Sequence, residues 1–154
     1  MIEFIEKPHK KEDLIRILHP FVKEWFFNTF KEFSEAQLYG VIEIHSRHNI
    51  LISAPTGGTK TLTSTLSIIN ELVILADQGK LESRVYCLYI NPLKALSRDL
   101  EVNLKKPLEE IKEIAKKHGK DLNIRIASRT SDTPQKEKAA MLKKTPHILI
   151  STPE

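Results

Sequence analysis

Cysteine is almost missing from this chain: Cys87 is the only one in 154 residues. No disulfide framework is therefore available, and the fold has to be held by burial in what is expected to be a reducing, cytoplasmic compartment. Cys87 itself lies in an apolar run over residues 85–90 and is expected to be a small core residue. Long apolar runs are missing too. None approaches the roughly 20 residues that cross a bilayer, and charges recur from Glu3 to Asp13, where a secretory leader needs an apolar stretch. Neither secretion nor a membrane span is expected. Neither sign of charge dominates: 24 Lys and Arg stand against 20 Asp and Glu, a net +4 with a pI near 9.1, which permits an anionic partner without demanding one. Internal repeats and low-complexity linkers are absent. What is present is 40% hydrophobic residues in a one-domain length, enough for a real core.

The apolar pattern alternates between helical and strand-like stretches. Two short helices are expected over residues 12–18 and 21–30, divided by His19-Pro20, because proline disfavours helix in the residue before it. Trp25, Phe26, Phe27, Phe30 and Phe33 form the densest aromatic cluster and are expected to pack as core at helical spacing. Ser34-Glu35-Ala36-Gln37 has the form of a capping box opening a helix over 35–46. Residues 49–53 read as a buried strand. A helix over 60–77 follows, stopped by Gly79. Residues 83–90 read as a second strand, and Pro92 as a first-turn proline. The next helix is expected to break or restart at Pro107 and to end at Gly119. A third strand is expected over 122–127, then a polar loop. A helix capped by Thr133 with Pro134 in its first turn should run to 143, before a fourth strand over 147–151. Strands alternating with helices predict an α/β fold with a mostly parallel sheet, whose ligands gather at the carboxyl ends of the strands. The four turns that follow the strands, at 54–56, 91–92, 128–130 and 152–154, are expected to line one edge.

The first of these turns carries the sharpest chemistry. Ala54-Pro55-Thr56-Gly57-Gly58-Thr59-Lys60-Thr61 follows an apolar run and opens a helix. Such a loop offers backbone N–H groups to a phosphate, a lysine to the outer phosphates and a hydroxyl to a magnesium ion. Thr56, Gly57, Gly58, Thr59, Lys60 and Thr61 are thus the candidate nucleotide-binding residues, with Thr61 the candidate metal ligand.

With this loop, Asn91-Pro92-Leu93-Lys94-Ala95-Leu96, Arg129-Thr130-Ser131-Asp132-Thr133 and Ser151-Thr152-Pro153-Glu154 resemble, in order and spacing, motifs I, Ia, Ic and Ib of superfamily 2 helicases. The chain looks most like the Lhr-type DNA helicases, over residues 19–154. The resemblance implies a P-loop, RecA-like domain, incomplete here, spanning 34–154, with 1–33 as a helical segment packed on it. It implies ATP and Mg²⁺ as cofactors. The Phe33 to Gln37 stretch is similar to the family's Q motif, so Gln37 either reads adenine or serves only its capping box. Pro92, Leu93, Lys94, Arg129, Thr130, Thr133 and Thr152 would meet the nucleic-acid backbone, since arginines, hydroxyls and peptide N–H groups bond phosphate oxygens without reading sequence. DNA is expected over RNA.

Three departures from the family pattern bear on activity. Thr59 replaces a glycine, and a left-handed backbone there would cost about 1–2 kcal/mol. Ser131 replaces another. The family's Asp-Glu box, which holds magnesium and orients water, is expected beyond Glu154, as is the second RecA-like domain. No residue of this chain is therefore expected to be catalytic, and the chain alone should not hydrolyse ATP efficiently. The alternative reading is a non-catalytic RecA-like module that binds nucleic acid or a partner and has lost ATP use. The 49–53 strand, lacking its family neighbours, is expected either to pair with an unusual strand or to pair across a homodimer.

Overall fold

A computed structural model describes residues 1–56 and 59–154. The chain divides into two units, Met1–Ile74 and Leu75–Glu154. The first holds α1 (Lys11–Ile17), α2 (Pro20–Thr29), α3 (Glu35–His45) and most of α4 (Thr59–Asp77). His19 caps α2: its Nδ1 accepts the Phe21 N–H at 3.1 Å, and Pro20 takes the first helical position, where no amide hydrogen is needed. The expected capping box is complete at α3. Gln37 N–H donates to Ser34 Oγ at 3.3 Å, and Ser34 N–H donates to Gln37 Oε1 at 2.8 Å.

The core of this unit is aliphatic and aromatic. Leu14, Val22, Phe26, Val41 and Val73 have no exposure, and Trp25 and Phe33 are buried with them. Phe26 stacks on Phe33 at 4.6 Å, so the aromatic cluster is packing. Two polar residues of α4 are buried inside the same unit, and each satisfies the backbone of another element. Ser67 Oγ donates to Val41 O at 2.8 Å. Asn70, fully buried, accepts from His19 N–H at 2.7 Å and donates to Ile17 O at 2.9 Å, clamping the α1–α2 junction. Gly40 allows α3 to approach closely: a Cβ there would stand 2.7 Å from both Ile52 Cδ1 and Thr63 Cγ2.

Residues 49–53 are not a strand, contrary to the sequence reading. Ile50 and Ile52 are half-buried, and Leu51 is 94% exposed. Their apolar character satisfies a strand's pattern, but a strand exists only where neighbours complete its hydrogen bonds. Pairing of this segment with an unusual strand is thereby excluded among the described residues.

The second unit contains the end of α4, β1 (Cys87–Ile90), α5 (Lys94–Lys117), β2 (Ile126–Arg129), α6 (Gln135–Lys143) and β3 (Ile148–Ser151). The three strands form a parallel sheet in the order β1-β3-β2, and α5 packs on β2 and β3. Ile90 and Arg129 both stand opposite Ser151, so the strands end level. Ile148, Ile150 and Ile126 bury one side with Leu104, Leu108, Ile111 and Ala115 of α5.

Five local readings need correction. β1 covers only Cys87–Ile90 of the buried strand expected over 83–90 and leaves Leu88 and Ile90 exposed. Pro107 does not break α5, which runs continuously through it for 24 residues; burial of Leu104, Leu108 and Ile111 on one face outweighs the lost hydrogen bond. β2 begins at 126 and includes Ser128 and Arg129, because register with β3 decides which residues pair. Thr133 does not cap α6. Its Oγ1 accepts the Thr130 N–H at 2.8 Å and closes the preceding turn, while Pro134 takes the cap position. Cys87 is half-buried rather than core, and burial pushes its thiol pKa up.

Candidate functional site

In the first unit the candidate nucleotide residues gather at the start of α4. Lys60 stands in its first turn, and its Nζ reaches back to donate to Ala54 O at 2.5 Å, closing the loop across six residues. No carboxylate pairs with this ammonium among the described residues. It is a cation held only by a peptide dipole, at the end of a helix where the exposed N–H groups favour negative charge. Thr61 follows, half-exposed, with its carbonyl accepting from Ser64 and Thr65 hydroxyls at 2.9 Å. Its own hydroxyl has no hydrogen bond among the described residues. Thr56 is exposed. Gly57 and Gly58 lie outside the described residues.

Thr59 does not carry the strain that the sequence reading expected. It is the first residue of α4, and Arg47 is the only non-glycine residue with positive φ among those described. Its carbonyl accepts from Thr63 Oγ1 at 2.6 Å, an ordinary helical bond. Ser131 likewise has no positive φ. The residue types that replace the family's glycines therefore sit in conformations open to any side chain.

Gln37 is buried, with Oε1 committed to the capping box and its amide protons without a hydrogen bond among the described residues. A cleft of about 1170 Å³ is lined by Ala36 and Tyr39 of α3, by Pro55 and Thr59, and by residues 1–5. Gln37 and Lys60 do not line it. At the cleft's far side, Glu43 accepts from His9 Nε2 at 2.8 Å and from His48 Nδ1 at 2.7 Å, and these two bonds, His48's first, hold its carboxyl below the usual glutamate range.

In the second unit the three turns at the carboxyl ends of β1, β2 and β3 meet, as expected for a parallel sheet. Asn91 N–H donates to Ser151 O at 2.8 Å, and Ser151 Oγ donates to Arg129 O at 2.8 Å, stitching all three strand ends together. Lys94 opens α5, and its Nζ lies 3.3 Å from Glu154 and 4.0 Å from Asp132. Sequence reasoning gave those carboxylates no role; their long-range pairing with Lys94 had no local signal. Pro92, Leu93 and Arg129 are exposed. Thr130 Oγ1 accepts the Asp132 N–H at 3.3 Å, so Thr130 and Thr133 shape one compact turn. Thr152 is the anomaly. It is 7% exposed, and its Oγ1 is buried without a hydrogen-bond partner among the described residues. An unsatisfied buried hydroxyl costs about 1–3 kcal/mol.

A cationic lysine stands on a loop that opens a helix in the first unit, and the strand ends of the second present hydroxyls, an arginine and a lysine. Residues 34–154 match the family model of the DEAD/DEAH box helicases, and the chain belongs to that family. Among its relatives, the ATP-dependent helicase Lhr-Core of Methanothermobacter thermautotrophicus is 54% identical over the whole chain. The chain spans 18% of that protein's length. The solved Mycobacterium smegmatis helicase Lhr bound to ssDNA and AMP-PNP is 36% identical, with a TM-score of 0.78 over 88% of this chain and 17% of its own. Mss116p bound to ssRNA and AMP-PNP, at 21% identity, shares the fold with a TM-score of 0.74 over 98% of this chain and 29% of its own. The α/β, RecA-like fold expected from the sequence is thus shown. No helix among the described residues is long and apolar enough to cross a membrane.

Proposed function

We propose that this chain supplies the phosphate loop and part of the nucleic-acid track of an ATP-dependent DNA helicase. The observation that carries this reading is Lys60, whose ammonium bridges its own loop to Ala54 O and has no counter-charge among the described residues. A polyphosphate would draw Nζ from a neutral carbonyl to a charged oxygen, an exchange of a dipole for a charge-assisted bond. Thr61 would supply a hydroxyl to the accompanying Mg²⁺, and Thr56, Gly57, Gly58 and Thr59 the loop backbone. Gln37, whose amide protons have no hydrogen bond among the described residues, would face adenine. Bound ATP would supply the free energy of phosphoryl transfer to the motor.

Residues 34–154 act in this reading as part of the RecA-like domain, with 1–33 packed beside them as a helical segment, in a cytoplasmic protein. Pro92, Leu93, Lys94, Arg129, Thr130, Thr133 and Thr152 form the track at the level strand ends. Lys94 now faces Asp132 and Glu154; a phosphate would replace those carboxylates as its partner. The orphaned Thr152 hydroxyl supports a ligand there. DNA is favoured over RNA because the 36% identical Lhr structure holds ssDNA. The open backbone of 49–53 would pair with a second copy, which sedimentation tests directly: a monodisperse monomer removes the dimer.

Titration with a fluorescent ATP analogue tests the nucleotide reading. Saturable, magnesium-dependent binding that Lys60→Ala abolishes is expected; no binding at millimolar nucleotide would remove it. Binding of single-stranded DNA should weaken steeply with salt, as counterion release requires.

A further inference from the structure

The opposite end of the sheet, at the amino ends of the strands, holds a cavity of about 350 Å³ within the second unit. Ser83 lies before β1, Asn123 and Arg125 before β2, Lys143 and Lys144 at the end of α6, and His147 before β3. The Arg125 guanidinium is fixed on one side. Nε and Nη2 donate to Thr145 O at 3.0 and 2.8 Å, and Nη2 also donates to Ser83 Oγ at 3.1 Å. Both protons of Nη1 stay uncommitted among the described residues. Ser83, an acceptor in this bond, keeps its own proton to donate.

Arg125, Lys143 and Lys144 have no carboxylate partner among the described residues. His147, 2% exposed, accepts the Arg125 N–H on Nδ1 at 2.9 Å, and its bond to the Glu82 backbone acts in the opposite sense, favouring the charged ring. Burial, and then the positive charges of Arg125 and Lys112, depress its pKa. The one carboxylate on the wall is Asp121, and α4 and α6 border the cavity with their carbonyl ends at Ala76 and Lys143. Those helix ends carry roughly half a negative charge each. Together with Asp121 they do not cancel three full positive charges.

We propose that this cavity is an anion site that takes a phosphate oxyanion through Arg125 Nη1, the Ser83 hydroxyl, the Asn123 amide and the Lys143 and Lys144 ammoniums. A guanidinium locked from behind still offers the two Nη1 protons as charge-assisted donors to a phosphate, and the lysines add charge without demanding geometry. The source is either a free phosphate compound or the backbone of a nucleic acid. The site does not rest on the helicase reading, since it shares no residue with the loop at Lys60 or the track at Lys94.

An NMR titration of the isotope-labelled chain with pyrophosphate at fixed ionic strength tests it. Saturable shifts of the Ser83, Asn123 and Arg125 amides are expected, with a rise in the His147 titration midpoint. The exposed pair Lys143→Glu with Lys144→Glu should weaken binding by about tenfold or more, a change of about 1.4 kcal/mol, and Arg125→Lys should weaken it while keeping the charge. Lys60→Ala should leave these shifts unchanged, which separates this site from the nucleotide loop. A single-stranded oligonucleotide that displaces pyrophosphate identifies the backbone as the source, and one that does not identifies a free phosphate compound; both keep the anion site. The absence of saturable shifts, or equal affinity in the Lys143→Glu, Lys144→Glu variant, overturns the proposal.

Discussion

Residues 50–53 and 148–151 are both Ile-Leu-Ile-Ser, and each precedes a polar turn that the sequence reading expects to bind a ligand. The second copy is β3, the central strand, with β1 and β2 hydrogen-bonded on either side and Ile148 and Ile150 buried. The first is in no strand, and its Leu51 is almost fully exposed. The tetrapeptide does not differ, so the surroundings decide: β3 has two neighbours to complete its ladder, while 50–53 makes no backbone hydrogen bond with another described residue. The first copy is half-buried at Ile50 and Ile52, and Ile52 packs close to Gly40. Strand propensity is fitness for a half-buried pleated surface, and it lapses where that surface is not offered.

The contrast can be pressed by substitution. Ile150→Ala should cost about 2–5 kcal/mol by opening a cavity in a packed core, whereas Leu51→Ala should stay within about 0.5 kcal/mol; urea denaturation measures both. A comparable loss at Leu51 would mean the first copy is packed after all. Asn70→Ala should cost about 1–3 kcal/mol by stranding the His19 N–H and the Ile17 carbonyl, seen as a lower denaturation midpoint. Ser64→Ala on the same helix should be near neutral, because among the described residues that hydroxyl bonds only the Thr61 carbonyl one turn back. Gly40→Ala probes the packing at Ile52. The methyl gains up to about 1 kcal/mol of helix propensity but meets Ile52 and Thr63, and overpacking of about 1–3 kcal/mol should win.

Acidification should separate the units more gently. The His147 pKa in the second unit is lowered, chiefly by burial, so the unfolded chain binds its proton more readily and stability rises with pH. Stability should therefore fall as pH drops through about 6.5, and His147→Gln should flatten that slope. Glu43 in the first unit has a lowered pKa, so its contribution is present at neutral pH and is lost only as pH falls below about 4.3. Chemical denaturation at pH 7.5, 5.5 and 4 reads both.

Helix positions, the capping box and the three turns that follow β1, β2 and β3 were legible because they are local: period, caps and turn residues sit within a few positions of one another. The fate of 49–53, the continuity of α5 through Pro107 and the start of β2 at 126 were not, since each depends on neighbours distant in the chain. The same division holds in the site. Lys60, Thr61 and Lys94 could be named from their motifs, but the Lys60 bridge to Ala54, the Asp132 and Glu154 partners of Lys94 and the buried Thr152 hydroxyl arise only when the turns are brought together. Asn70 and Arg125 were missed entirely, because a polar residue inside an apolar pattern gives no sign of which backbone it serves.

Hydrogen exchange of the whole chain, with and without a magnesium-bound ATP analogue, tests the account most directly. The amides of 148–151 should be protected in both states, those of 50–53 should exchange fast without nucleotide, and those of 54–61 should gain protection when nucleotide is added and not in Lys60→Ala. Equal protection of the two Ile-Leu-Ile-Ser copies without nucleotide, or no gain at 54–61 with it, would contradict the account.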